Sequence, residues 1–133
     1  MRQQESGLIV LTTSTAGIAG YPLRSPYAAA KWALVGLTKT LAMELGPAGV
    51  RVNAIAPGAV EGPRMDRVVA MEAAASGEDE ASVREGYVKG VSLRSWVNAK
   101  DLAEMVAFLA SDGASKISGQ VMCVDGHTET LAP

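Results

Sequence analysis

Tyr27 and Lys31 are the side chains here best placed by type and spacing to move a proton, because Tyr27-Ala28-Ala29-Ala30-Lys31 opens an apolar, helix-forming run. Residues four apart share one helix face, so the Lys31 ammonium is expected close to the Tyr27 hydroxyl. Bringing a phenol from its ordinary pKa near 10 to about 7 requires roughly 4 kcal/mol. A helix N-terminus contributes about 0.3–1 kcal/mol, whereas an ammonium about 4 Å away at an effective dielectric near 20 contributes on the order of 4 kcal/mol. Lys31 therefore dominates, with burial opposing it. A tyrosine so tuned is a general acid or base near neutral pH. The pair alone recurs by chance in many chains, so its neighbours decide what it means.

Two other short stretches fall where such a tyrosine needs help. Ser14 closes an apolar run ahead of Tyr27, where its hydroxyl could hold a carbonyl oxygen; it reads equally as a turn serine after Thr12 and Thr13. Pro57-Gly58 closes a second such run, Pro57 fixing the chain's direction and Gly58 letting backbone approach a flat ligand, or simply making a turn.

The elements that must position these residues alternate. Gly7 to Thr13 is short, apolar and β-branched, bounded by Gly7 and the Ser14-to-Gly20 turn cluster, which predicts a strand. Ser25 before Pro26 predicts a helix start, with Ser25 as cap, and Gly46-Pro47 ends the helix that runs from about Pro26 to Leu45. VRVNAIA, from Val50 to Ala56, predicts a second strand. Residues 61–92 form an excursion expected to be mobile, with helical character over Met65 to Ala75 and again over Ser82 to Lys89. Asn98 reads as the cap of a helix over Ala99 to Ala110, and QVMCVD, from Gln120 to Asp125, as a last buried strand. Nearly continuous apolar strands alternating with helices predict an α/β fold, a parallel sheet covered on both faces. In such sheets ligands bind beyond the carboxyl ends of the strands, which directs attention to Ser14, Pro57 and Gly126 onward.

Composition excludes several alternatives. The 133 residues are 48% hydrophobic and 20% charged with net charge −2, ordinary for one globular domain and without a basic stripe for nucleic acid. The single cysteine, Cys123, forms no internal disulfide, and no secretory pattern opens the chain, so a cytoplasmic location is expected. Lys31, Lys39 and Glu44 interrupt the longest apolar stretch, which argues against a membrane span. No metal-ligand spacing is present, and no Gly-x-Ser-x-Gly elbow surrounds Ser14. His127, the only histidine, lacks signalled partners for a metal site or triad and reads as a turn residue.

Together the segments GLIVLTTSTAG, YAAAK, RVNAIAPGAV and ISGQVMCVDG resemble, in order and spacing, the C-terminal half of a short-chain dehydrogenase/reductase, with similarity to 3-oxoacyl-ACP reductase-like members. The resemblance implies one half of a doubly wound Rossmann-type sheet: three strands with flanking helices in a single partial domain over 1–133, with 61–92 as substrate lid. It implies hydride transfer between NAD or NADP and a small alcohol or ketone. Ser14 would orient the substrate oxygen and Tyr27 exchange a proton with it. Lys31 would tune Tyr27 and hold the nicotinamide ribose. Tyr27, Lys31, Pro57, Gly58 and Val60 would form the cofactor contacts, the last three through backbone at the nicotinamide end. It also implies a homo-oligomer, through helix 26–45 and the C-terminal strand.

Some features depart from the family's pattern. Gly62 stands where the family often has a threonine that donates to the nicotinamide carboxamide, and Val124-Asp125-Gly126-His127 replaces the common Val-Asp-Gly-Gly. No Gly-rich strand-to-helix turn able to cradle a pyrophosphate occurs, nor the residue that would choose between NAD and NADP. Under the resemblance these lie upstream of Met1, so the N-terminal cofactor-binding half is expected to be absent and the 133 residues alone are expected to bind NAD(P)H poorly. The alternative is a truncated, catalytically inactive fragment that persists as a partner-dependent subunit.

Overall fold

The structure, a computed structural model, describes residues 1–131. Its elements are β1 (Gly7–Thr12), α1 (Ser25–Leu45), β2 (Val50–Pro57), α2 (Pro63–Ser76), α3 (Glu80–Lys89), α4 (Ala99–Ala110) and β3 (Val121–Val124). The strands form one parallel sheet in the order β1-β2-β3, with Gly7 opposite Val50 and Ala54 opposite Val121. This is the expected α/β arrangement.

Alternation along the strands divides the core. Leu8, Val10, Ile55 and Met122 share the face on which α4 packs, around fully buried Leu109 and Ala114. Val52, Ala54 and Ala56 point to the other face, where α1 lies against β2 and contributes buried Val35 and Thr38. The central strand β2 is buried except at Arg51, whereas β1 and β3 are only half-buried, as edge strands are. Among the described residues β1 has no partner on its outer edge.

A buried polar residue fixes β3 on β2. Asn53, fully buried, donates through Nδ2 to the Ile117 carbonyl (2.9 Å), and its Oδ1 accepts from the Gln120 N–H (3.1 Å). Val52 adds an N–H bond to Ser118 Oγ (3.2 Å) and accepts from the Gly119 N–H (2.7 Å). The strand leading to β3 thereby gains a single register.

Helix ends follow local chemistry with one correction. Asn98 accepts from the N–H groups of Lys100 and Asp101 while Asp101 returns the bond to the Asn98 N–H, so α4 begins with a complete capping box. Ser25, by contrast, is not the cap of α1: Arg24 occupies that place without a side-chain bond, and Ser25 and Pro26 are the first helical residues. Proline still stands within the first turn, where its missing N–H costs nothing. Residues 61–92 hold two helices, α2 and α3, packed on each other, with Val69, Ala73, Val88 and Val91 buried.

Candidate active site

Ser14, Tyr27 and Lys31 all lie just beyond the carboxyl end of β1. Thr13 continues the ladder by donating its N–H to the Ile55 carbonyl (2.9 Å), and its Oγ1 donates to the Lys31 carbonyl (2.8 Å). The strand end is thus tied to the first turns of α1. Gly17 makes the approach possible, since a Cβ there would stand 2.3 Å from Thr13 Oγ1 and 2.8 Å from the Lys31 carbonyl oxygen.

Ser14 opens the short turn Thr15–Gly17, its Oγ accepting from the Ala16 N–H (3.2 Å). An oxygen occupied as acceptor keeps its own proton to donate, so the half-buried hydroxyl suits a carbonyl oxygen. Lys31 Nζ donates to the Thr12 carbonyl (3.2 Å) and lies 5.6 Å from the centre of the Tyr27 ring. The ammonium is therefore beside the phenol but anchored to the strand end. Tyr27 is 40% exposed in the first turn of α1, and among the described residues its hydroxyl has no protein partner.

The end of β2 faces this group across the sheet. Pro57 is buried opposite Val124, and the Gly58 N–H donates to the Val124 carbonyl (3.1 Å). A Cβ on Gly58 would stand 2.9 Å from Asp125 Cα, so the glycine is needed for contact with the end of β3. Val60 forms a parallel bridge with Val97, made by the Val97 N–H to the Ala59 carbonyl (2.9 Å) and the Glu61 N–H to the Val97 carbonyl (2.8 Å). In that pattern Val60's own N–H and C=O point away from Val97, and among the described residues neither has a hydrogen-bond partner. At Gly62 the backbone takes φ 146° and ψ 173°, a region essentially closed to residues with a Cβ, so a threonine could not stand there in this conformation.

Sequence reasoning missed the contacts that hold α2 and α3. Arg84 pairs with Asp66 of α2 and its guanidinium lies 5.5 Å from the centre of the Trp96 ring, whose other neighbour is Tyr87 at 5.5 Å. Tyr87 donates its O–H to Glu72 Oε1 (2.7 Å); burial and then that bond push the phenol well above its ordinary pKa, keeping it neutral. Trp96 adjoins Val97, so the helix pair is fastened to the segment that pairs with Val60. His127 also has partners that spacing did not signal. Its Nδ1 lies 2.6 Å from Ser92 Oγ, which donates to Glu129 Oε1 (2.7 Å). With its one proton directed to Glu129, Ser92 accepts from His127, which fixes a proton on Nδ1. His127 is exposed at φ 67°, its N–H held by Asp125 Oδ1 (3.1 Å), so it is a turn residue as expected, but not an isolated one.

A cleft of about 900 Å³ lies between Tyr21 and Arg24, the facing sides of α2 and α3, and Glu129 and Thr130 of the tail. Ser14, Tyr27 and Lys31 are not among its walls, although Arg24 immediately precedes the helix that carries Tyr27. Among the described residues no group of three or more His, Cys, Asp or Glu side chains is placed to hold a metal ion, and no helix is long and apolar enough to cross a membrane.

Comparison with known proteins places this arrangement. Residues 1–127 match the sequence profile of a family described as enoyl-(acyl carrier protein) reductase. The chain is 39% identical to levodione reductase of Leifsonia aquatica over 126 residues, covering 95% of this chain and 46% of that protein. It is 36% identical to a 3-oxoacyl-[acyl-carrier-protein] reductase of Thermotoga maritima, again over 95% of this chain and 47% of the relative. The crystal structure of an NAD+-bound xylitol dehydrogenase superposes with a TM-score of 0.84 at 33% identity, over 95% of this chain and 50% of that one. The chain thus spans about half the length of the relatives it matches.

Proposed function

Because the chain belongs to the short-chain dehydrogenase/reductase family, we propose that it carries the proton-transfer half of an NAD- or NADP-dependent oxidoreductase acting on a small alcohol or ketone. The observation that supports this reading is Lys31, held on the Thr12 carbonyl at the end of β1 with its ammonium 5.6 Å from the centre of the Tyr27 ring, while Ser14 opens the turn that follows the same strand and Val60 stands beyond the end of the adjacent one. When bound, the nicotinamide supplies or accepts the hydride.

Ser14 donates its hydroxyl hydrogen bond to the substrate oxygen and fixes the carbonyl plane. Tyr27 gives its phenolic proton to that oxygen as a ketone is reduced, or takes it back as an alcohol is oxidised. Lys31, held on the Thr12 carbonyl, places a positive charge beside the ring and has further N–H donors for the cofactor's ribose hydroxyls. The Val60 N–H and C=O match the acceptor and donor of a carboxamide, and Pro57 and Gly58 set the path of the backbone that presents them. The residues present therefore fit the nicotinamide end of the cofactor. Neither NAD nor NADP is preferred by them. Helices α2 and α3 act as the lid over the substrate. The exposed α1 residues Trp32, Leu37 and Met43 form the surface through which two copies would associate, in a cytoplasmic homo-oligomer.

The test is isotopic. The polypeptide that carries these residues is supplied with NADH or NADPH deuterated at the transferring carbon and a panel of small ketones, and the alcohols are read by mass spectrometry. Deuterium on the carbinol carbon supports the reading; ketones returned unreduced with both cofactors reject it.

A further inference from the structure

We propose that Trp96 is a positioning residue for the cofactor: it holds Val97 against the chain leaving β2, keeps the Val60 N–H and C=O aimed at the nicotinamide carboxamide, and so couples helices α2 and α3 to cofactor binding. The proposal rests on the oxidoreductase reading and adds to that site a residue remote from Ser14, Tyr27 and Lys31.

Two side chains of α3 meet the indole. The Arg84 guanidinium lies 5.5 Å from the centre of the Trp96 ring, and the Tyr87 ring lies 5.5 Å away at an interplanar angle of 44°. Arg84 and Tyr87 are three positions apart, so they share one side of the helix. Each is also held by a carboxylate of α2: Arg84 by its ion pair with Asp66, and Tyr87 by its hydrogen bond to Glu72 (2.7 Å). The indole is thus seated on a cation and a ring that other bonds already restrain, where cation–π and aromatic attraction act with little further ordering cost.

The chain on either side of Trp96 is tied elsewhere. Ser92 and Leu93 donate their N–H groups to the His127 and Gly126 carbonyls (2.9 and 3.1 Å), and Asn98 caps α4. Residues 92–95 are exposed, Trp96 is half-buried and Val97 is buried. Between these ties, Val97 reaches the chain leaving β2, its N–H donating to the Ala59 carbonyl (2.9 Å) and its carbonyl accepting from the Glu61 N–H (2.8 Å). These bonds straddle Val60 and set the direction of its own N–H and C=O. A bridge of two bonds has no neighbouring rungs to support it, so it opens readily unless side chains at its ends pack. On the side of α3 that packing is Trp96.

The consequence falls on one end of the cofactor. A carboxamide offers an acceptor oxygen and N–H donors on one plane, which match the Val60 N–H and C=O only while both stay directed the same way. Loosening the bridge therefore weakens the grip on the nicotinamide and spares the adenosine diphosphate end. The coupling is reciprocal, so a cofactor that fixes Val60 also steadies Trp96 and the helix pair behind it.

Two measurements on the polypeptide that carries these residues test this. Amide exchange read by NMR should be at least about tenfold faster at Glu61 and Val97 in Trp96→Ala, the scale of the two ring contacts together, with the sheet amides of Thr13 and Ala54 unchanged. Affinity for NADH or NADPH should fall about five- to tenfold, while affinity for the matching ADP-ribose, which lacks the nicotinamide, stays within about twofold. The loss should shrink with the acetylpyridine analogue of the cofactor, whose methyl ketone has no amide donor. Trp96→Phe should keep most of the wild-type affinity. Arg84→Gln, which decides the matter where Trp96→Ala does not fold, should show the same selectivity at about threefold. Unchanged exchange at Glu61 and Val97, unchanged cofactor affinity, or equal losses for cofactor and ADP-ribose overturns the proposal. Such a result with deuterium transfer intact leaves the oxidoreductase reading standing, whereas a wild type that binds neither NADH nor NADPH overturns both.

Discussion

Replacing Gly17 by alanine should unseat the candidate site by a route that is mechanical rather than chemical. The new Cβ would stand 2.3 Å from Thr13 Oγ1 and 2.8 Å from the Lys31 carbonyl oxygen, the two partners of the bond joining the end of β1 to α1. Neither can yield independently, because the Thr13 backbone is paired with Ile55 and the Lys31 carbonyl belongs to the helix. Loss of the hydrogen bond costs about 0.5–1.5 kcal/mol and crowding in a packed site about 1–3 kcal/mol, so a loss of roughly 2–4 kcal/mol is expected. With a urea slope of about 1–3 kcal/mol per molar, the unfolding midpoint should fall by on the order of 1–2 M. Gly36→Ala is the control: it lies within α1 with nothing near a new Cβ, and alanine in a helix interior should raise stability by about 0.5–1 kcal/mol. A Gly17→Ala protein as stable as wild type, measured beside a stabilised Gly36→Ala, would refute the close approach of β1 and α1 on which the site depends.

Two further outcomes test the scaffold and the lid. Asn53→Ala removes both bonds of a fully buried side chain, leaving the Gln120 N–H without its side-chain partner and the Ile117 carbonyl with Arg51 alone (3.4 Å), and should cost about 1–3 kcal/mol in urea unfolding, with amide exchange accelerated first around β3. Tyr87→Phe removes the bond to Glu72 and should cost about 1 kcal/mol at neutral pH, less than a buried charged hydrogen bond because the pair is partly open to water. Because burial and Glu72 raise the Tyr87 pKa in the folded state, the native protein binds the extra proton above the ordinary phenol value of 10.0. The wild-type advantage should therefore be full below that pH and shrink above it, which stability curves of the two proteins read directly; an advantage that grows at alkaline pH would contradict the assignment.

The sheet and its helices were legible because their signals are local. β1, β2 and β3 are short apolar runs closed by turn residues, and Asn98 announces the start of α4 as its cap, to which the structure adds the returning bond at Asp101. Ser14, Tyr27, Lys31, Pro57, Gly58 and Val60 are proposed as a set from the order of their segments, and the strands that lead to Ser14, Pro57 and Val60 are those the sequence predicts. What escaped is what depends on distant partners. Trp96 gains its meaning from Arg84 and Tyr87, and Val97 from a bridge to Val60, a contact no periodicity encodes. The pairing of Ser92 with His127 and Glu129 forms only because the tail after β3 runs antiparallel to the segment after α3, joined at Val91 and Thr128. Lys31 is the instructive middle case: its side of the helix followed from spacing, but the Thr12 carbonyl that holds its ammonium became visible only once β1 and α1 were packed.

Tyr27→Phe tests the central claim most directly, because it removes one oxygen from a side chain whose hydroxyl has no structural bond. Ketone-dependent oxidation of NADH or NADPH is measured by nicotinamide absorbance in the polypeptide that carries these residues, with cofactor binding followed in parallel by fluorescence. The account predicts that binding survives within about twofold while kcat falls by a factor of about 10²–10⁴, the contribution of a positioned general acid. Turnover retained at the wild-type rate would contradict it.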